Sequence, residues 1–508
     1  MSRTPAAQVM GKIKTVVIVG GGTSGWLTAA YLSTNLIDPV EIILIESSKL
    51  GIIGVGEGTQ PYTTTFLRKC GLDPADWMKE ADATYKLGVE LIGWQKMPYF
   101  VDNDSTVTHR VSRNNLSHQY WVGKPPEDYY NWLPAYQLAR HNISPKISND
   151  LDFVVGSDSI SSEAVHFNAV KIGQTLKSKF QDHIIVKDCE IIEVLVNAQG
   201  IGGLVTNTGE TISGSLYIDC TGFKSLLIEE TLKINHVNIT GILPCDKAVA
   251  IPTLYTDPEK ECTPSTQAIA MSSGWRWRIP TFSRVGNGYV YSSKHLSEED
   301  AETELRAAIG EFSNQAVHLD MRTGFKDKIA FKNVVAVGLS AGFVEPLEAT
   351  GITFTTKTVE QLVQNLNLYE NCLVEVAKNN LNSFFFDMVQ EIISFIFLHY
   401  KTSTKRDTKF WKNVDDLLLT EHTRITAKHF VPSPPRMLFK QRFFEMFHSG
   451  QWFQVLNSAD QYINIENKLS QEERCYYEIH KEMLTTRTNI QIEKYPNHYT
   501  FLKSQYFK

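Results

Sequence analysis

Short β-branched runs alternate with helix-forming stretches along the first part of the chain. Thr15-Val16-Val17-Ile18-Val19 reads as a strand buried on both faces, and residues 40–45 form a second such run that ends in Glu46. Between them, residues 26–36 carry Ala29, Ala30 and Leu32 and predict a helix. This β–turn–α–β unit sets the fold class as α/β. Further strands are predicted at 184–186, 191–196, 203–205, 216–219 and 334–337. Asn197-Ala198-Gln199-Gly200 makes a hairpin turn, and a helix runs over 175–180. From about residue 355 the pattern changes to long apolar-periodic segments with few glycines, so the last third is predicted to be helical. Its most apolar stretch, 384–400, contains Asp387 and Glu391 and falls short of the about 20 apolar residues of a membrane span; it reads as a buried or amphipathic helix. No internal repeat or low-complexity linker separates the parts, so the domains are expected to interleave.

A chain of 508 residues can enclose a large ligand, and 42% hydrophobic against 21% charged residues excludes long-range disorder. With 50 basic and 56 acidic residues the surface offers no footprint for nucleic acid or anionic membrane. Seven scattered cysteines, an odd number without a C-x-x-C pair, speak against both a structural metal site and a disulfide framework. Met1-Ser2-Arg3-Thr4-Pro5 is not followed by an apolar secretory segment, so a cytoplasmic location is expected.

Gly20-x-Gly22-x-x-Gly25 lies between the first strand and the first helix, the context a dinucleotide fingerprint requires. The first glycine makes the tight turn, the second lets backbone approach a pyrophosphate, and the third lets helix and strand pack closely. Thr23 and Ser24 open the helix, whose N–H groups and dipole face the phosphates. Glu46, at the end of the second strand, is placed to accept from ribose hydroxyls and disfavours a 2′-phosphate. Glycines also follow the later strands, in Asp219-Cys220-Thr221-Gly222-Phe223 and Val337-Gly338-Leu339-Ser340-Ala341-Gly342. A long cofactor touched at several sheet ends fits FAD better than NAD.

Gly274-Trp275-Arg276-Trp277-Arg278-Ile279-Pro280 puts two tryptophans on one face of a strand. On physics alone this is an aromatic core ladder, but it resembles the G-W-x-W-x-I-P signature of the flavin-dependent tryptophan halogenases. Gly54-Val55-Gly56-Glu57-Gly58-Thr59-Gln60-Pro61 resembles that family's flavin-strapping G-V-G-E-A-T-x-P. Trp77-Met78 with Tyr85-Lys86 resembles the stretch holding its lysine. Phe343-Val344-Glu345-Pro346-Leu347-Glu348-Ala349-Thr350-Gly351-Ile352 is similar to its F-V-E-P-L-E-S-T-G-I, and Arg406-Asp407-Thr408 with Phe410-Trp411 to another of its segments. The matches keep family order from about residue 15 to 411.

The resemblance implies a glutathione-reductase-like FAD module interleaved with a helical substrate part: 1–110 and 166–355 for the module, 111–165 as a substrate-side insertion and 356–508 as a cap. It implies that reduced FAD and O2 convert halide (chloride, bromide or iodide) to hypohalous acid. That oxidant crosses to Lys86, with Glu348 as partner carboxylate, beside an electron-rich indole or phenol. Gly54, Val55, Gly56, Glu57, Gly338 and Leu339 would touch the flavin, Thr350 and Gly351 the halide, and Trp275 and Trp277 would wall the flavin off from the substrate. Without the motif around it, Lys86 would read as a surface lysine and Glu348 as a helix-terminal acid. No second dinucleotide fingerprint is present in context, so FADH2 is expected from a separate flavin reductase, and the family resemblance implies a homodimer. At the substrate, His109 fills a family position, whereas Val111 stands where a phenylalanine is expected. Arg442, in a loose alignment that could instead use Glu445, replaces a glutamate that holds free tryptophan. The competing readings are a flavin-dependent aromatic hydroxylase and a non-catalytic FAD-binding protein.

Overall fold

The computed structural model describes residues 11–49, 56–103, 120–146, 163–417, 446–459 and 469–508. The β-branched run forms strand Thr15–Val19 in the interior of a six-stranded sheet, where Val16, Val17 and Ile18 have no exposed surface. It pairs in parallel with Glu41–Glu46 on one side and Leu216–Asp219 on the other. Ile185–Asp188 and Val334–Ala336 extend the sheet in parallel on the two flanks. Apolar runs without alternation fit these positions, because helices cover a parallel sheet on both faces. Helix Thr23–Asn35 follows the first strand, with Ala169–Phe180 and Thr350–Leu368 packed beside it. The predicted hairpin forms between Ile191–Asn197 and Gly200–Thr206.

A second, seven-stranded sheet runs Val317–Asp320, Lys247–Thr253, Val285–Tyr291, Gly274–Pro280, Thr266–Met271, Gly88–Ile92 and Tyr99–Asp102. All its pairs are antiparallel except that of Thr266–Met271 with Gly88–Ile92. A three-stranded sheet lies beside it, with Ala164–Asn168 in the middle. That strand takes Gly56–Gly58 on one edge and Thr84–Lys86 on the other, pairing Gly58 and Thr84 with the same His166. Segments far apart in sequence are thereby fixed side by side.

The described residues after 355 are largely helical, as their periodicity predicts. Helix Glu375–Thr402 is long and apolar enough to cross a membrane, yet Met388, Val389, Ile392, Ile393, Phe395 and Ile396 on it are fully buried within the fold. Among the described residues the cysteines form no disulfide, and no cluster of metal-ligating side chains occurs.

Candidate active site

The fingerprint glycines meet their steric requirements. Gly20 has φ +113°, and a Cβ there would sit 2.3 Å from the Cys220 carbonyl oxygen. A Cβ on Gly25 would lie 1.9 Å from the Gly20 oxygen, so only hydrogen permits this helix–turn approach. Among the described residues, nothing lies within 4 Å of a Cβ built on Gly22. Gly22 is also the N-cap of helix Thr23–Asn35, no side chain caps that end, and its first turn has no acidic residue. Uncapped N–H groups beside an open glycine make a cradle that suits a pyrophosphate. Thr23 is turned the other way, its hydroxyl donating to the Ala169 carbonyl at 2.8 Å. Ser24 Oγ lies 3.3 Å from Thr355 Oγ1, and Gly338 (φ +69°) presses against Ser24. Gly338 and half-buried Leu339 therefore stand at the same crevice as the fingerprint.

Glu46 is already engaged. Lys177 Nζ is 2.5 Å from Oε1, and Trp26 Nε1 donates to Oε2 at 3.3 Å. Gly21, outside the spaced motif, is needed here too, since a Cβ would collide with that carboxylate at 2.2 Å. Asp219 closes the neighbouring strand end. Its oxygens accept from the Leu227 and Ile228 amides at 2.8 and 2.9 Å and from Ser340 Oγ at 3.1 Å, tying the Asp219 motif to the Gly338 turn.

Lys86 ends the strand Thr84–Lys86 and is fully buried, not at the surface. Its ammonium donates to the Thr59 carbonyl at 2.9 Å. Burial lowers its pKa to about 8, while the charge of Glu348 acts the other way and raises it. Glu348 is likewise buried, and no donor among the described residues is aligned on either carboxylate oxygen. His399 Nε2 stands 3.1 Å from Glu348 Oε1, and His399 Nδ1 lies 2.7 Å from the Tyr99 hydroxyl. The Glu348 carbonyl is held by Gln60 Nε2 at 2.8 Å, and Asn103 Nδ2 donates in turn to Gln60 Oε1 at 2.8 Å. Adjacent residues Thr59 and Gln60 thus hold the lysine and the glutamate respectively. Behind Glu348 the wall is aromatic: His399 meets Phe395 edge-on, and Phe395 stacks on Phe447 at 4.0 Å.

Helix Thr350–Leu368 begins immediately after Glu348. Its N-cap, Ala349, has φ +57°, no side chain caps the end, and the first turn carries no acid. This is an anion-receptive terminus. Thr350 is buried, Gly351 is open, and Glu57 Oε2 would be 4.0 Å from a Cβ on Gly351. Burial pushes Glu57 up to about 7, so it carries less negative charge towards that terminus at neutral pH. Trp275 and Trp277 share a strand face with ring centroids 6.4 Å apart. Trp275 Nε1 donates to Glu345 Oε2 at 3.1 Å, and Tyr400 donates to the same oxygen at 2.8 Å. Burial raises the Glu345 pKa to about 7.

The fold therefore brings Gly20, Gly22, Gly25, Glu46, Gly338 and Leu339 to one crevice, and Lys86, Glu348, Thr350 and Gly351 to one neighbourhood through Thr59, Gln60 and the Glu348–Gly351 segment. Gly56 and Glu57 lie on the strand leading into Thr59. Gly54, Val55, His109, Val111 and Arg442 fall outside the described residues. Sequence reasoning missed His399, Tyr99, Gln60, Asn103 and Lys177. None sits in a recognisable motif of its own, and only Gln60, at the variable place of the strap, carried a signal.

Fold and crevice together define an α/β protein built around a dinucleotide-type glycine fingerprint, with a buried lysine–glutamate pair beside it. The family model described as tryptophan halogenase matches residues 15–471. The chain is 34% identical over 424 residues to the 7-chloro-L-tryptophan 6-halogenase KtzR of Kutzneria sp., covering 78% of this chain and 81% of that protein. It is 31% identical over 445 residues to the tryptophan 7-halogenase RebH of Lentzea aerocolonigenes, covering 81% and 80%. The crystal structure of the tryptophan 6-halogenase SttH from Streptomyces toxytricini superposes with a TM-score of 0.88 at 27% identity, covering 97% of this chain and 100% of that one. A tryptophan halogenase structure from Shewanella frigidimarina gives 0.87 at 25% identity, with 98% of each chain covered. This protein belongs to the tryptophan halogenase family.

Proposed function

We propose that the chain is an FADH2-dependent halogenase that installs halogen on tryptophan or another indole, with Lys86 and Glu348 as its catalytic pair. The observation that carries this reading is the burial of a lysine and a glutamate in one electrostatic neighbourhood, with neither glutamate oxygen met by an aligned donor among the described residues. Such a pair is costly unless it serves chemistry. Relatives whose names assign tryptophan support the indole substrate.

Gly20, Gly22, Thr23, Ser24 and Gly25 would hold the pyrophosphate, Glu46 the ribose, and Gly54, Val55, Gly56, Glu57, Gly338 and Leu339 the flavin end. When bound, the reduced flavin with O2 supplies the oxidising power that turns halide into hypohalous acid. The backbone N–H groups of Thr350 and Gly351 hold the halide, and Trp275 and Trp277 keep the organic substrate apart from the flavin side. Lys86, as an ammonium, orients the hypohalous acid by hydrogen bonding. In the transfer, a C–X bond forms as O–X breaks, the departing hydroxide takes the Lys86 proton to leave as water, and Glu348 takes the proton lost from the ring. The pair starts as ammonium and carboxylate and ends as amine and acid, so no net charge is buried or released. A separate flavin reductase delivers the FADH2.

The test is mass spectrometry of reactions with FAD, a flavin reductase, NADH, O2, bromide and catalase, offering tryptophan, indole and a phenol to wild type and to Lys86→Ala. A bromine isotope doublet from wild type alone supports the reading. Equal bromination by both proteins means leaked hypobromite and removes Lys86 from the chemistry. A gain of oxygen without bromine makes the protein a hydroxylase.

A further inference from the structure

The family match stops at residue 471, yet helix His498–Gln505 and the residues after it reach back to the strand that carries Lys86. Tyr85, next to that lysine, is fully buried, and its amide donates to His498 Nε2 at 3.2 Å. On the other side of the ring, His498 Nδ1 lies 2.9 Å from the Cys262 carbonyl, which can only accept. Nδ1 therefore carries the proton, and Nε2 is left as a lone pair facing the Tyr85 N–H. The Tyr85 hydroxyl lies 2.6 Å from the Tyr506 hydroxyl, and its ring also meets those of His498 and Phe501.

The helix is itself pinned independently of Tyr85. Asn497 caps it by accepting from the Tyr499 and Thr500 amides, the His498 amide donates to the Asn142 carbonyl at 2.9 Å, and Phe507 stacks on Phe282 at 3.5 Å. Lys86 has a long, flexible stem, and its ammonium is placed by the hydrogen bond to the Thr59 carbonyl. Where that stem starts is set by the backbone at Tyr85.

We propose that His498 and Tyr506 are positioning residues for Lys86: they clamp the backbone and ring of Tyr85 so that the lysine projects to the point where oxidant meets substrate. This rests on the role proposed for Lys86, and it extends the active-site scaffold into the segment beyond the family match. Loosening the clamp leaves oxidant production intact and misdirects its delivery. The product then falls while escaped hypohalous acid rises, a split that a merely structural residue would not produce.

The test uses the full-length protein with His498→Gln, His498→Ala and Tyr506→Phe. Three quantities are read: brominated product against hypobromite captured by a thiol trap, hydrogen exchange at the Tyr85 amide, and the pH midpoint for acylation of Lys86 by a small reagent. Tyr506→Phe removes only a hydroxyl, so it reports even if His498→Ala fails to fold. The expected result for Tyr506→Phe and His498→Ala is a roughly tenfold fall in the ratio of product to trapped oxidant with their sum unchanged, together with roughly tenfold faster exchange at Tyr85 and a shifted Lys86 midpoint. His498→Gln, which can accept from Tyr85 and donate to Cys262, restores most of the ratio. Exchange and acylation as in wild type for Tyr506→Phe and His498→Ala would overturn the clamp. If wild type makes no halogenated product, the functional reading fails, and the clamp is decided by the exchange and acylation measurements alone.

Discussion

His399 Nε2 faces Glu348 Oε1 at 3.1 Å, and neither side chain has solvent contact. The Tyr99 hydroxyl shares a hydrogen bond with His399 Nδ1, and His399 Nε2 borders the carboxylate without being aligned on it. Glu348 thus turns both oxygens to the site with no aligned donor among the described residues. Glu348→Gln should lower halogen transfer by about 100-fold or more, the range for loss of a general base. Tyr99→Phe, which removes one hydrogen bond of about 1 kcal/mol, should cost about fivefold. In both variants a deuterium isotope effect at the halogenated carbon should emerge, because proton loss becomes slower. Single-turnover kinetics with ring-deuterated tryptophan read this out; its absence in both variants would remove Glu348 as the base.

The depressed pKa of Lys86 gives a pH signature. Burial lowers it to about 8 while Glu348 holds it up. If the ammonium is the working form, the fraction of oxidant transferred should be flat below pH 8 and decline above it. Glu348→Gln should move the Lys86 midpoint to lower pH, since the charge that raised it is gone. Acylation of Lys86 followed by peptide mass spectrometry against pH measures the shift without relying on turnover.

Glu345 couples stability to pH. Its folded-state pKa is raised from 4.5 to about 7 by burial, despite the hydrogen bonds from Trp275 and Tyr400. The folded state therefore holds a proton that the unfolded chain releases. Its contribution is present in full below about pH 4.5 and is lost as pH rises through 7, about 3 kcal/mol in order of magnitude. Glu57 adds in the same sense. Thermal melts should show wild type losing stability from pH 5 to 8 more steeply than Glu345→Gln; parallel curves would contradict the assignment.

Gly22 and Gly25 should respond differently to alanine. A methyl group on Gly22 meets no described residue within 4 Å, at a φ of −74° that alanine adopts freely, so the fold should melt as in wild type while FAD affinity falls at least about tenfold. On Gly25 the same methyl meets the Gly20 carbonyl, and folding itself should suffer by more than about 2 kcal/mol. Calorimetry beside flavin-fluorescence titration separates the two effects.

The local chemistry was legible in the sequence. The unalternating runs at 15–19, β-branched, and at 216–219, mostly apolar, became central parallel strands, because burial on both faces selects such residues. Three spaced glycines defined the crevice, because backbone approach tolerates no side chain there. The strap, the Lys86 stretch and the Glu348 segment carried motifs strong enough to name the family. What the sequence could not contain was distance. Lys86 and Glu348 are 262 positions apart, and their neighbourhood exists because Thr59 and Gln60, just past the strand Gly56–Gly58 that pairs with Ala164–Asn168, reach one residue each. His399 and Tyr99, or His498 and Tyr85, meet only when helices dock on sheets. A lone histidine on an apolar helix looks the same whether it faces a core or a carboxylate. Motifs fix which chemistry is available, since they report local steric demands; tertiary packing decides which groups lose water and which charges share one low-dielectric space.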